Sequence, residues 1–145
     1  MSKVEDFLSK VEEKAIVEAI GLAEKNTSGE VRVHLEKKTN KLHFDRASEV
    51  FNTLEMHKTK DRNGVLIYVA VKDKNFVICG DEGIDKKVPP DFWESTKEAI
   101  QNQFRNGNFA QGLIDGITKA GEQLKHHFPY QSDDSNELSN EISIG

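Results

Sequence analysis

Seven consecutive apolar residues, Val65-Leu66-Ile67-Tyr68-Val69-Ala70-Val71, stand between Asp61-Arg62-Asn63-Gly64 and Lys72-Asp73-Lys74-Asn75. An unbroken run rich in β-branched residues and bounded by turn chemistry is the pattern of a strand buried on both faces. Such a strand belongs at the centre of a sheet with other elements packed over both sides. The run is less than half the roughly 20 apolar residues that span a bilayer as a helix, so no membrane span is expected. After the polar link, Phe76-Val77-Ile78-Cys79 predicts an antiparallel hairpin partner that stops at Gly80.

The flanking segments supply the covering layers. From Ser9 to Lys25 the residues Val11, Ala15, Ile16, Ala19, Ile20, Leu22 and Ala23 recur at helical spacing, and Ser9 with Glu12 has the form of a capping box. Beyond Asn26-Thr27-Ser28-Gly29, Val31, Val33 and Leu35 alternate with Arg32, His34 and Glu36, the period of a half-buried strand. Ala47, Val50, Phe51 and Leu54 predict a second helix from Asp45 to Met56. After Pro89-Pro90, Phe92, Trp93, Thr96, Ile100 and Phe104 predict a third, and Phe109, Leu113, Ile117, Ala120 and Leu124 a fourth. The large aromatic residues at these helical positions read as core. The order helix, strand, helix, strand, strand, helix, helix gives an α/β domain, a three-layer α/β/α sandwich around a small mixed sheet.

A chain of 145 residues is the size of one domain. We expect that domain over 1–129, followed by an acidic, mobile tail over 130–145 with four carboxylates and no basic residue. The formal charge of −5 offers no general attraction for nucleic acid or anionic lipid and favours cationic partners. Without the tail the charge is near −1, so the acidity owes more to the tail than to the fold. A single cysteine, Cys79, excludes an internal disulfide, and the polar N-terminus has no signal-peptide pattern; the cytoplasm is the expected compartment.

Several site patterns fail. Cys79 begins no Cys-x5-Arg loop, since Asp85 stands where the arginine would be. No phosphate-binding glycine loop, serine elbow or dinucleotide fingerprint occurs. His34, His43 and His57 fall on separate segments and His126-His127 at a helix end, which is not zinc-ligand spacing, so exposed histidines are expected. Asp61-x-Asn63-Gly64 resembles the start of a calcium loop, but Ala70 occupies the position of its final glutamate.

Topology lends these turns more weight. If Val71 pairs with Phe76, a constant register sum sets Val65 opposite Glu82 and Gly64 opposite Gly83. The intervening helix suits a parallel crossover from the first strand, whose start then lies at the same sheet edge. Glu30, Asp61, Asn63, Asp81 and Glu82 thereby gather four carboxylates and one amide oxygen, with Arg62 as the only nearby base. Hard oxygen ligands in this number suit Ca²⁺ or Mg²⁺.

Three segments in order, Thr27-Ser28-Gly29-Glu30-Val31-Arg32-Val33, Asp61-Arg62-Asn63-Gly64-Val65-Leu66-Ile67-Tyr68-Val69 and Phe76-Val77-Ile78-Cys79-Gly80-Asp81-Glu82-Gly83-Ile84, resemble the TPM domain, also called the TPM-phosphatase domain. The resemblance runs from about Ser9 to Phe128. It implies an α/β/α sandwich, divalent-cation binding near the acidic loops at Glu30, Asp61, Asn63, Asp81 and Glu82, and the acid-phosphatase activity of a plant thylakoid-lumen member. Many members are tethered or exported; these 145 residues show neither a signal pattern nor a trailing hydrophobic span, so a setting that departs from that pattern is expected. Two functions follow as expectations. One is metal-dependent hydrolysis of a small phosphomonoester, with Asp61 and Asp81 as ligands, Glu30 or Glu82 as base and Arg62 as a phosphate contact. The other is a non-catalytic module whose cation adjusts a surface for a protein partner.

Overall fold

The chain enters its first helix through the expected capping box. Ser9 Oγ accepts the Glu12 N–H at 3.1 Å and Glu12 Oε1 accepts the Ser9 N–H at 2.8 Å, which satisfies two of the amides a helix start leaves open. The computed structural model describes residues 7–130 and 138–145. Its elements are α1 (Lys10–Glu24), β1 (Glu30–Glu36), α2 (His43–Thr53), β2 (Gly64–Ala70), β3 (Asn75–Gly80), α3 (Glu82–Asp85), α4 (Glu94–Arg105), α5 (Phe109–Leu124) and β4 (Ser143–Ile144).

The sheet has the order β3-β2-β1-β4. Every residue of β2 is buried, as its apolar run requires. β1 runs parallel to β2 from Glu30 opposite Gly64 to Glu36 opposite Ala70, and β3 is antiparallel to β2. Side chains on one sheet face, including Val31, Val33, Val65 and Ile67, pack with α1, α4 and α5 through residues such as Ile16, Ile20, Ile100 and Ile117. On the other face, Leu66, Tyr68 and Ala70 meet Ala47, Val50 and Phe51 of α2. The result is the expected three-layer α/β/α sandwich with a mixed sheet. Phe104 and Phe109 meet edge to face at 5.1 Å and belong to the core, as their helical spacing indicates.

Four details differ from the sequence reading. The hairpin register is shifted by two: Phe76 pairs with Val69 and Gly80 with Val65. Val71 is spent in a four-residue turn closed by the Lys74 N–H to the Val71 carbonyl, with Lys74 at φ 52°, while its own N–H continues the ladder to the Glu36 carbonyl. A shift of two preserves the alternation of faces. The second helix begins at His43 and ends at Thr53, where Glu55 at φ 56° leads into a short 3₁₀ turn over Met56–Lys58. Val11 and Leu22, which share the apolar periodicity of α1, are exposed. Finally, residues 138–145 of the segment read as a mobile tail return to the body, and β4 pairs in parallel with β1 at His34 and Leu35. Asp133, Asp134 and Glu137 lie outside the described residues.

Among the described residues, no helix is long and apolar enough to cross a membrane. α4 and α5 approach closely where α5 carries Gly112 and Gly116; a Cβ on Gly116 would stand 2.5 Å from Ile100 Cγ1. Gly116→Ala sets a helix-propensity gain of about 1 kcal/mol against overpacking of about 1–3 kcal/mol. We expect a net loss, read as a lower urea midpoint at unchanged m-value, partly recovered when Ile100→Val is added.

Candidate functional site: convergent acidic loops and a buried polar stripe

Parallel pairing of β1 with β2, and the hairpin from β2 to β3, bring three loops to one end of the sheet. The Glu30 N–H donates to the Asn63 carbonyl at 3.3 Å, and the Asp81 N–H to the Gly64 carbonyl at 3.0 Å. Asp81, rather than Gly83, therefore follows the strand opposite Gly64. Gly83 donates its N–H to the Arg62 carbonyl at 2.9 Å, and a Cβ there would lie 2.2 Å from the Asp61 carbonyl oxygen and 2.5 Å from that of Arg62. Only glycine permits this contact between the second and third loops.

The five residues singled out by sequence differ in setting. Glu30, Asn63 and Asp81 are buried, at 3%, 1% and 5% exposure, whereas Asp61 and Glu82 are exposed. Asp81 caps the four-residue α3 through the Glu82 N–H and accepts a bidentate pair from Arg62, Nε to Oδ2 at 2.9 Å and Nη2 to Oδ1 at 3.0 Å. Nη1 of the same guanidinium reaches Glu82 Oε1 at 3.0 Å. Arg62 is thus the internal counter-ion of the third loop, and its hydrogen bonds with Asp81 hold its pKa above the usual arginine value. Glu30 Oε1 accepts the Leu138 N–H at 2.6 Å. Among the described residues, no three His, Cys, Asp or Glu side chains form a group that would hold a metal ion.

Asn63 retains an unmet requirement. Its Nδ2 donates to Ser28 Oγ at 3.3 Å, while the buried Oδ1 has no hydrogen-bond partner. A buried amide oxygen without a donor is costly unless a ligand or water meets it. A cavity of ≈ 260 Å³ lined by Phe44, Ser48, His57, Arg62, Cys79 and Asp81 lies beside the loops. Burial pushes the Cys79 thiol up to about 11, with Asp85 and Asp81 adding to the shift, which leaves it unsuited as a nucleophile.

A second polar group occupies the opposite end of β1, and its burial was not expected. Alternation suggested that Arg32, His34 and Glu36 faced water, yet α2 and the C-terminal segment cover this side, and His34 is 4% exposed. Glu36 accepts bonds from Arg46 Nε and Nη2, from the Tyr68 hydroxyl and from His34 Nε2 at 3.2 Å. Burial alone would raise the Glu36 pKa, but these donors outweigh it and bring it down to about 2. Desolvation lowers His34, and its Nδ1 lies 2.9 Å from Ser143 Oγ. Arg32 Nε is buried without a hydrogen-bond partner. The available signal was the neighbouring strand: a sheet covered on both faces at β2 is also covered beside it, so polar residues there need partners.

The two shifts act in the same direction. The unfolded Glu36 takes up a proton near 4.5 and the folded one near 2, so its contribution is present above about pH 4.5 and is lost as pH falls toward 2. His34, lowered from 6.5, likewise loses stability as pH falls through 6.5 toward its folded value. Thermal unfolding should show a falling acid limb to which Glu36 contributes up to about 3 kcal/mol. Glu36→Gln should flatten that limb below pH 4.5 and lower the melting temperature at pH 7.

The comparisons with known proteins agree with the geometry. The TPM domain family matches residues 1–123, and no curated protein matches. The NMR structure of the BA42 protein from the psychrophilic bacterium Bizionia argentinensis is 61% identical, with a TM-score of 0.94 and 100% of both chains covered. The N-terminal domain of a P. gingivalis protein has a TM-score of 0.71 at 16% identity, covering 86% of this chain and 82% of that one. The N-terminal domain of cg2496 from Corynebacterium glutamicum has a TM-score of 0.65 at 11% identity, covering 91% and 80%; these two show likeness of fold alone. With the family match spanning most of the sequence and the three signature segments meeting at one sheet end, the chain belongs to the TPM domain family.

Proposed function

We propose that this TPM domain binds a divalent cation, Ca²⁺ or Mg²⁺, at the convergent loops, and that the cation orders those loops as a module for a protein partner. The observation that carries this reading is the buried Asn63 Oδ1 without a hydrogen-bond donor, beside two loops that supply carboxylates. Glu30, Asp61 and Asn63 supply hard oxygens, and Asp81 and Glu82 join them when Arg62 is displaced. Arg62 already neutralises the charge that a cation would neutralise, so the guanidinium and the cation are alternatives. This accounts for the absence of a preformed group of three carboxylates among the described residues.

A second reading, hydrolysis of a small phosphomonoester, is favoured by Arg32, whose buried Nε lacks a partner on the same strand as Glu30. A bound cation would neutralise phosphoryl oxygens. Arg32 would take one of those oxygens, and Glu30 or Glu82 would position the attacking water. Arg62, engaged with Asp81 and Glu82, is less suited to the phosphate contact expected from sequence.

Calcium and magnesium titrations followed by melting temperature test the first reading. Saturation at 100 times Kd should add about 2.7 kcal/mol. Asp61→Ala, at an exposed position, should leave apo stability within about 0.5 kcal/mol and weaken binding by about tenfold or more. Arg62→Ala should destabilise the apo protein, because buried Asp81 loses its bidentate donor, and millimolar Ca²⁺ should recover much of that loss. A protein indifferent to both cations would refute the proposal. For the second reading, release of phosphate from a generic phosphomonoester with added metal should fall in Asp61→Ala and Arg32→Ala; equal background rates in all three remove hydrolysis and leave cation binding.

A further inference from the structure

The segment Leu138–Gly145 lies along β1 from the acidic loops to the buried polar group at the other end. At its start the Leu138 N–H donates to Glu30 Oε1 at 2.6 Å, and the Leu138 side chain packs on the α2 side of the sheet. At its end the Gly145 N–H donates to the Leu35 carbonyl at 2.8 Å, and Ser143 Oγ meets His34 Nδ1. Between them, Asn140 bonds to the Glu24 carboxylate, and Ile142 packs against the core. The attachment is slender: β4 has two residues, and Ile144 is 48% exposed.

We infer that this C-terminal strap competes with the cation for Glu30, so that cation binding and strap docking oppose each other. The inference rests on the cation-binding reading above. The Leu138 amide brings a positive dipole end to the carboxyl oxygen that would otherwise help hold the ion, and at 2.6 Å the bond is short for an N–H donor. A cation that recruits Glu30 must take that oxygen from the amide or bind without its full strength. The few bonds holding the strap make its release a small local opening rather than global unfolding. Linkage makes the effect reciprocal: freeing the strap tightens the cation, and binding the cation loosens the strap.

Gly145 provides a way to free the strap without touching the loops. A Cβ at this position would lie 2.6 Å from His34 Nε2 and 2.7 Å from Glu36 Oε1, so Gly145→Leu should expel the chain end. Ile142→Ser is a second releasing variant that acts through lost packing. The wild-type protein and both variants are titrated with CaCl₂ and with MgCl₂ while backbone amides are followed by ¹H–¹⁵N NMR and hydrogen exchange. In the wild type, the Leu138 amide should move with the same midpoint as those of Asn63 and Asp81. In the variants, Leu138 and Gly145 should lose exchange protection before any cation is added, and the midpoint should fall by about fivefold or more. If Asn63 responds while Leu138 stays fixed in the wild type, or if release leaves the midpoint unchanged or raises it, the competition is overturned and cation binding stands. If no loop amide responds to either cation in any of the three proteins, cation binding and the competition fall together. Should both variants retain the strap, movement or fixity of Leu138 in the wild type decides the matter.

Discussion

Parallel pairing of β1 with the fully buried β2 is the constraint on which the rest of this molecule depends. β2 has no polar side chain to offer water except the Tyr68 hydroxyl, which is itself bound to Glu36, so both its faces must be covered. α1, α4 and α5 cover one face and α2 covers the other. With Glu30 fixed opposite Gly64, the turn before β1, the turn before β2 and the turn after β3 have to meet. The acidic convergence is thus a consequence of sheet register rather than of any attraction among the carboxylates, which by themselves repel.

The two ends of β1 handle charge in different ways. At its start, Arg62 spans Asp81 and Glu82, while Glu30 receives a backbone amide from the strap. These partners are a half-exposed turn side chain and a slender C-terminal segment. At its end, Glu36 is held by Arg46, Tyr68 and His34 in a site closed by α2 and the strap. Removing one partner there leaves a buried charge with reduced compensation, a strongly destabilising event. The first arrangement leaves its counter-ion half exposed, whereas the second buries its acceptor.

The strap connects the two ends, because its start bonds to Glu30 and Ser143 bonds to His34, the partner of Glu36. The strap is held by isolated hydrogen bonds and a two-residue strand rather than by a long ladder, so its release is a local opening. This domain thereby carries a peripheral strand whose lead-in segment bonds to one of the convergent loops, outside the three-layer core.

Sequence by itself determined the elements whose signals are local. The run Val65–Val71 identified the central strand, Ser9 and Glu12 the start of the first helix, and the spacing from Phe109 to Leu124 the last one; the three turn segments identified the family and which loops would meet. The hairpin register escaped it because Val71 can either pair with β3 or extend toward β1, and only the closed turn at Lys74 selects between them. Burial of His34 and Glu36 escaped it because alternation along a strand reports two faces but not what covers them. The partners of Asp81 and Glu30 were likewise decided by tertiary structure alone, since a guanidinium 19 residues from Asp81 and an amide 108 residues from Glu30 meet these carboxylates only after the sheet has formed. Local periodicity follows from backbone geometry shared by all chains, whereas the fate of each charge depends on which distant group arrives first at low dielectric.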